Sequence, residues 1–241
     1  MIECLDKYKI TTNNLCTIET LLAYWGIEKH QNTLSLPFKH LVAQIKNTSN
    51  STPLNWYPVI LLFYSGGIAA VASNKYDNLR VLMQTNVVDP EYSHRSKTLI
   101  LSLSNSLTNL RDSFKKLSGY EEKNVPQNEY LYSFFKPIFD DLLFISTDYE
   151  YYFDRFEVFL ALEHAEQYSK EYDRGLGPIG RFGYKFSRVG DSDPFHQLLA
   201  EAESYGESWQ PIKAGLFKGS YERFKEVATE FSKILSKLYW H

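Results

Sequence analysis

LNWYPVILLFYSGGIAAVA, residues 54–72, is the stretch on which the reading of this chain turns. Between Lys46 and Lys75 there is no Asp, Glu, Lys, Arg or His, and no other part of the chain is comparably apolar. Its length approaches the roughly 20 residues that span a bilayer. Pro58 suits the first turn of a helix, which leaves a short span from there to Ala72. Gly66-Gly67 weakens the middle, and no Lys/Arg cluster marks either flank. A helix that is apolar all round can equally be the centre of a soluble bundle. The expectation is therefore a buried central helix, with no membrane partner. The small residues Ser65, Gly66, Gly67, Ala69, Ala70 and Ala72 would admit neighbouring helices closely.

Working outward, most of the chain carries helical spacing. Residues 14–25 read as a helix capped by Asn13 or Asn14, with Leu15, Ile18, Leu21, Leu22 and Trp25 on its core face and Gly26 at its end. A second helix is expected to start at Pro37, with Phe38, Leu41, Val42 and Ile45 inward. Residues 47–53 are expected to form a polar loop. Helices are expected over 74–84 and, as one amphipathic stretch, over 97–117, with a break near Asp89-Pro90. Pro126 opens a further helix in which Pro137 predicts a kink or break. Thr147 to Glu150 has capping-box spacing, and the helix behind it is expected to reach about Tyr172. Asp193-Pro194 and Ser220 read as two more starts, the first helix ending at Tyr205 and the second near Tyr239.

The character changes at Gly175. GLGPIGRFGYKFSRVG, residues 175–190, is glycine-rich, and Phe182, Tyr184 and Phe186 alternate, so a small β-hairpin or irregular element is expected there. The fold expected is mainly α, a multi-helix bundle around the central helix, as one domain over 1–241 with 175–241 as a possible C-terminal subregion.

Composition narrows function only broadly. The chain has 241 residues, 44% hydrophobic and 16% aromatic, with a formal charge of −3. Nothing global points to nucleic acid or an anionic surface. Cys4 and Cys16 form no metal pair or disulfide framework, and the first residues carry acids without an apolar run, so a cytoplasmic protein without a signal peptide is expected. None of the six histidines stands in a metal-ligand spacing, so no metal or other cofactor is expected. Glu163, His164 and Glu166 read as a surface trio facing different directions. Asp140, Asp141, Asp148, Glu150 and Asp154 surround a helix junction, where capping and the helix dipole account for those near Thr147. No nucleophile elbow is present, and the chain reads as leaning away from an enzyme.

One segment carries candidate binding residues. From Arg174 to Gly190 there are four cations, Arg174, Arg181, Lys185 and Arg188, and no acid, interleaved with Phe182 and Tyr184. Such a patch suits phosphate contacts and base stacking; the alternative is a solvated hairpin whose aromatics pack on the core. Gly175, Gly177 and Gly180 match a dinucleotide fingerprint by letter, but the motif needs a preceding strand and a following helix, and Pro178 removes an amide.

Four segments, residues 57–79, 153–165, 177–186 and 209–224, together resemble an α-helical domain found in the C-terminal halves of modular bacterial proteins. Some of these carry a Schlafen-like AlbA or other effector domain and act in anti-phage defence. The resemblance covers about two thirds of the chain. It implies a non-enzymatic interaction or ligand-sensing domain that works beside a protein partner or effector domain, and it carries no catalytic residue. Nucleic-acid or nucleotide binding through 174–188, and an enzyme with an unfamiliar site, are the alternatives.

Overall fold

The computed structural model describes residues 2–45, 53–89, 94–168, 177–188 and 192–238. Of the polar loop expected at 47–53 only Pro53 is described, and Pro90, Tyr172, Arg174, Gly175 and Tyr239 lie outside; the helices expected to reach about Tyr172 and Tyr239 end at Gln167 and Leu235. In chain order the helices are α1 (Ile2–Trp25), α2 (Gln31–Ile45), α3 (Tyr57–Ala72), α4 (Tyr76–Gln84), α5 (Leu99–Asn109), α6 (Arg111–Phe114), α7 (Pro126–Leu143), α8 (Tyr149–Gln167), α9 (Arg181–Arg188), α10 (Pro194–Tyr205), α11 (Gln210–Lys213) and α12 (Tyr221–Leu235). Short antiparallel strands β1 (Asn86–Val88) and β2 (Ser96–Thr98) pair with Val87 opposite Lys97. The mainly α bundle is as expected.

α3 is the apolar centre. Pro58 stands in its first turn, and every residue from Val59 to Val71 is buried. It ends where Asn74 takes a left-handed φ of 54° and the Ser73 hydroxyl donates to the Ala69 carbonyl at 2.9 Å. Residues Pro53–Ala72 are long and apolar enough to cross a bilayer, and 83% of that window is buried against the rest of the fold. Core residues from Leu5 to Leu235 form one continuous cluster around it.

α8 is the second central helix, and it crosses α3 closely. A Cβ on Gly67 would stand 2.0 Å from Cε2 of Phe156, so only glycine admits the aromatic ring here. Gly67→Ala is expected to cost about 1–3 kcal/mol by overpacking. Combining it with Phe156→Leu should cost less than the two single changes summed, as equilibrium urea unfolding would measure.

Several elements depart from the sequence reading. The helix expected to start at Asn14 begins at Ile2, and it is rotated from the expected face. Cys16, Glu19, Thr20 and Ala23 point inward, whereas Ile18 and Trp25 are exposed. Fit decides this: small inward residues let α1 lie against α3, where Glu19 covers Gly66. α2 starts at Gln31, not Pro37; the buried stripe Leu34, Phe38, Val42 and Ile45 offsets the hydrogen bond that Pro37 forfeits. α7 likewise runs through Pro137 without a break. The single helix expected over 97–117 is divided among β2, α5 and α6.

The two-stranded element lies at 86–98, and the expected hairpin near 175–190 is corrected: residues 181–188 are helical. A carboxylate at the helix start explains it. Glu157 accepts the Arg181 backbone N–H at 2.6 Å, and Phe182 and Phe186, four residues apart, pack on Phe231 and Phe195. The capping box at Thr147 does not form; Asp148 takes the N-cap position without a side-chain bond, and Glu150 turns toward α9. Two expected caps do form. Asp193 accepts from the amides of Phe195 and His196, and Ser220 accepts from that of Arg223.

Candidate binding cleft

The acids of α8 and the cations of α9 share one period. Glu150 and Asp154 are one helical turn apart, as are Arg181 and Lys185, so the two helices present matched pairs to each other. The Arg181 guanidinium donates to Glu129 at 3.2 Å, Asp154 at 3.1 Å and Glu150 at 3.0 Å. It also lies 3.7 Å from the ring centroid of Tyr132. Lys185 pairs with Glu150 at 2.6 Å and with Asp154. The Tyr184 hydroxyl donates to Glu129 at 2.7 Å.

These contacts sort the carboxyls by burial. Glu150 is half-exposed, and its hydrogen bond from Lys185 holds its pKa below the usual range. Asp154 shares the same cations but is buried, and desolvation outweighs them and raises its pKa. Glu157, deeper still, is pushed up to about 8, first by burial and then by Asp154. Its carboxyl accepts from Asn128 at 2.6 Å and from the Arg181 amide. Gly180 makes this approach possible, since a Cβ there would stand 2.1 Å from the Glu157 carboxylate.

The glycine motif therefore has a structural use. Gly175 lies outside the described residues. Gly177 presses on the His164 ring and Gly180 on Glu157. A helix does follow, against expectation, but the anion at its N-terminus is the protein's own Glu157 carboxylate.

Over this network lies a cleft of about 560 Å³, lined by Glu150, Tyr151 and Asp154 of α8, by Tyr184, Lys185 and Arg188 of α9, and by Ser192, Asp193, Pro194 and Gln197 at the start of α10. Of the sequence candidates, Tyr184, Lys185 and Arg188 converge on it. Phe182 is fully buried against Phe231 and offers no stacking face. Arg181 is buried beneath the cleft. Arg188 is exposed, stands 5.7 Å from the Tyr184 ring centroid, and has no carboxylate partner among the described residues. Glu150, Asp154 and Tyr151 went unassigned to binding in the sequence; the matched four-residue spacing of acids and cations is the signal that would have found the two acids.

The Glu163, His164 and Glu166 trio is buried, which corrects the surface reading. The three do face different ways. Glu163 accepts from Gln84 at 2.8 Å and from the Phe217 amide at 3.1 Å, pinning a residue whose φ is 52°. Glu166 pairs with Arg223 at 2.5 Å and Lys218 at 2.9 Å. His164 stacks on Tyr168, and burial pulls its pKa down to about 4. Among the described residues no three His, Cys, Asp or Glu side chains gather as a metal site. No family model, curated protein or solved structure matches this chain.

Proposed function

We propose that the chain is a binding domain without chemistry of its own. Its ligand is a small molecule that carries a carboxylate or phosphate, seated in the α8–α9–α10 cleft. The supporting observation is the arrangement of the cleft wall. Arg188 stands exposed and without a carboxylate partner among the described residues, while the half-exposed Glu150 lies on the α8 side. An anion on the guanidinium gives it the partner it lacks, whereas Glu150 is already held by Lys185 and Arg181. The resemblance to helical domains of modular bacterial defence proteins is consistent with a sensing role beside an effector. The nucleic-acid alternative has less support, because Arg181 and Lys185 are taken up by carboxylates.

The test is thermal unfolding with one carboxylate and one phosphate probe, glutamate and phosphoethanolamine. At a hundredfold excess over Kd a ligand adds about 2.7 kcal/mol, or roughly 5–10 °C in Tm for a chain of this size. Arg188→Ala is expected to unfold at the wild-type temperature and to lose at least about tenfold in affinity. Absence of any shift with either probe, or unchanged binding by Arg188→Ala, overturns the reading.

A further inference from the structure

Tyr151 reverses the usual arrangement of its side chain. A tyrosine commonly packs its ring and leaves its hydroxyl to water. Here the residue is 44% exposed, and the hydroxyl is tied inward, accepting from the Arg155 guanidinium at 3.1 Å. Arg155 is itself buried, and it donates to Glu201 at 2.7 Å and to the Tyr76 hydroxyl at 3.0 Å. The ring is therefore held from behind, and it lines the α8 wall of the cleft. On the α9 wall Tyr184 is fixed in the same manner by its bond to Glu129, with Arg188 beside its ring. Two anchored rings have little rotamer freedom left to lose on binding. They share the cleft with a guanidinium that no carboxylate neutralises among the described residues.

Size and charge narrow what fits. At about 30 Å³ per water, 560 Å³ holds about 19 waters, so an anion of about ten non-hydrogen atoms leaves about half of the cleft to solvent. Lys185 is taken by Glu150 and Asp154, which leaves Arg188 to meet one anionic group. A second or third phosphate would face Glu150, Asp154 and Asp193 instead. We infer that the ligand is an aromatic ring bearing one phosphate or carboxylate, with the ring stacked on Tyr151 and the anion on Arg188. A nucleoside monophosphate has this form. The inference rests on the anion site proposed above and adds the ring seat to it. Stacking of a base on an aromatic side chain contributes about 5- to 100-fold in affinity. One ring seat and one cation suit a single unit, whereas a nucleic-acid strand needs a row of each.

Isothermal titration calorimetry at fixed salt tests this with two pairs of probes, adenosine monophosphate against phosphoethanolamine and indoleacetate against glutamate. In at least one pair the aromatic member is expected to bind about tenfold more tightly or better, and that pair names the anion. Tyr151→Ala should abolish the gain and leave the affinity for the non-aromatic member within about twofold. Tyr151→Phe should keep the gain, since it removes the hydroxyl and its bond from Arg155 but not the ring. Equal affinities within both pairs, or a gain that survives Tyr151→Ala, overturn the ring seat. In that case binding of phosphoethanolamine or glutamate that still depends on Arg188 leaves the anion site standing. A gain lost equally in Tyr151→Phe assigns the effect to the Arg155 network and overturns the ring seat as well. Absence of binding by all four probes overturns the anion site and the ring seat together.

Discussion

Arg181→Ala is expected to lower the unfolding free energy by about 3–5 kcal/mol, the range seen when one member of a buried ion pair is removed. The change strands Asp154 and Glu129, whose side chains are 3% and 17% exposed, with Glu150 close by. It also removes the guanidinium that covers Tyr132 at 3.7 Å. Lys185 still reaches Glu150 and Asp154 but not Glu129, so the compensation is partial. Against a typical total of 5–15 kcal/mol such a loss is large. Arg181→Lys should recover only part of it, because an ammonium cannot serve three acceptors in the fork geometry that the guanidinium spans. Urea unfolding of the two variants and wild type measures this. A loss below about 1 kcal/mol for the alanine variant would show that the network is not what holds α9 to α8.

This prediction bears on how anion binding at the cleft is probed. A variant of Arg181 that weakens binding does so through lost packing of α9, so its effect carries no information about phosphate contact. Arg188 is exposed and outside the ion-pair network, and its removal reports on the ligand alone. Lys185, of the same patch, is intermediate: it lines the cleft while holding Glu150 and Asp154.

Elements whose cause is local were legible in the sequence. α3 follows from uniform apolarity, and α10 and α12 from Asp193 and Ser220, which act within three residues of themselves. Elements whose cause is distant were not. α9 is a helix because Glu157, 24 positions earlier in the chain, accepts its first amide, and no window around Phe182 contains that information. The end of α1 at Trp25 was legible but its start and its facing were not, since hydrophobicity favours Ile18 and Trp25 as its core face whereas fit against Gly66 selects Glu19 and Ala23. The binding segment was legible as a place, for Tyr184, Lys185 and Arg188 do meet in one cleft. Its charge was misjudged: acids on α7 and α8, far off in sequence, neutralise what reads as a basic run.

Glu19 supplies the second large effect, and it depends on pH. Its carboxyl is wholly buried between α1 and α3, packs over Gly66, and has no hydrogen-bond partner on either oxygen. Desolvation pushes its pKa up to about 9, while the neighbouring Cys16 thiol, raised first by burial, stays protonated to about 11. The native state therefore keeps a proton that the unfolded chain releases near pH 4.5. Between those two values the folded form binds more protons, so stability falls as pH rises, by at most about 1.4 kcal/mol per unit from this group. The contribution is whole below pH 4.5 and is lost progressively toward pH 9. Glu19→Gln keeps the shape and removes the titration. Relative to wild type it should gain up to about 4 kcal/mol on going from pH 5 to pH 8. Glu157, pushed to about 8, titrates in both proteins and cancels from the difference. Urea midpoints at several pH values, converted to free energies for the two proteins, give the comparison. Parallel pH profiles would mean that Glu19 is ionised in the native state and has drawn water or a cation into the α1–α3 interface. A diverging pair would show that Glu19 stays protonated in the native state and lowers stability as the pH rises.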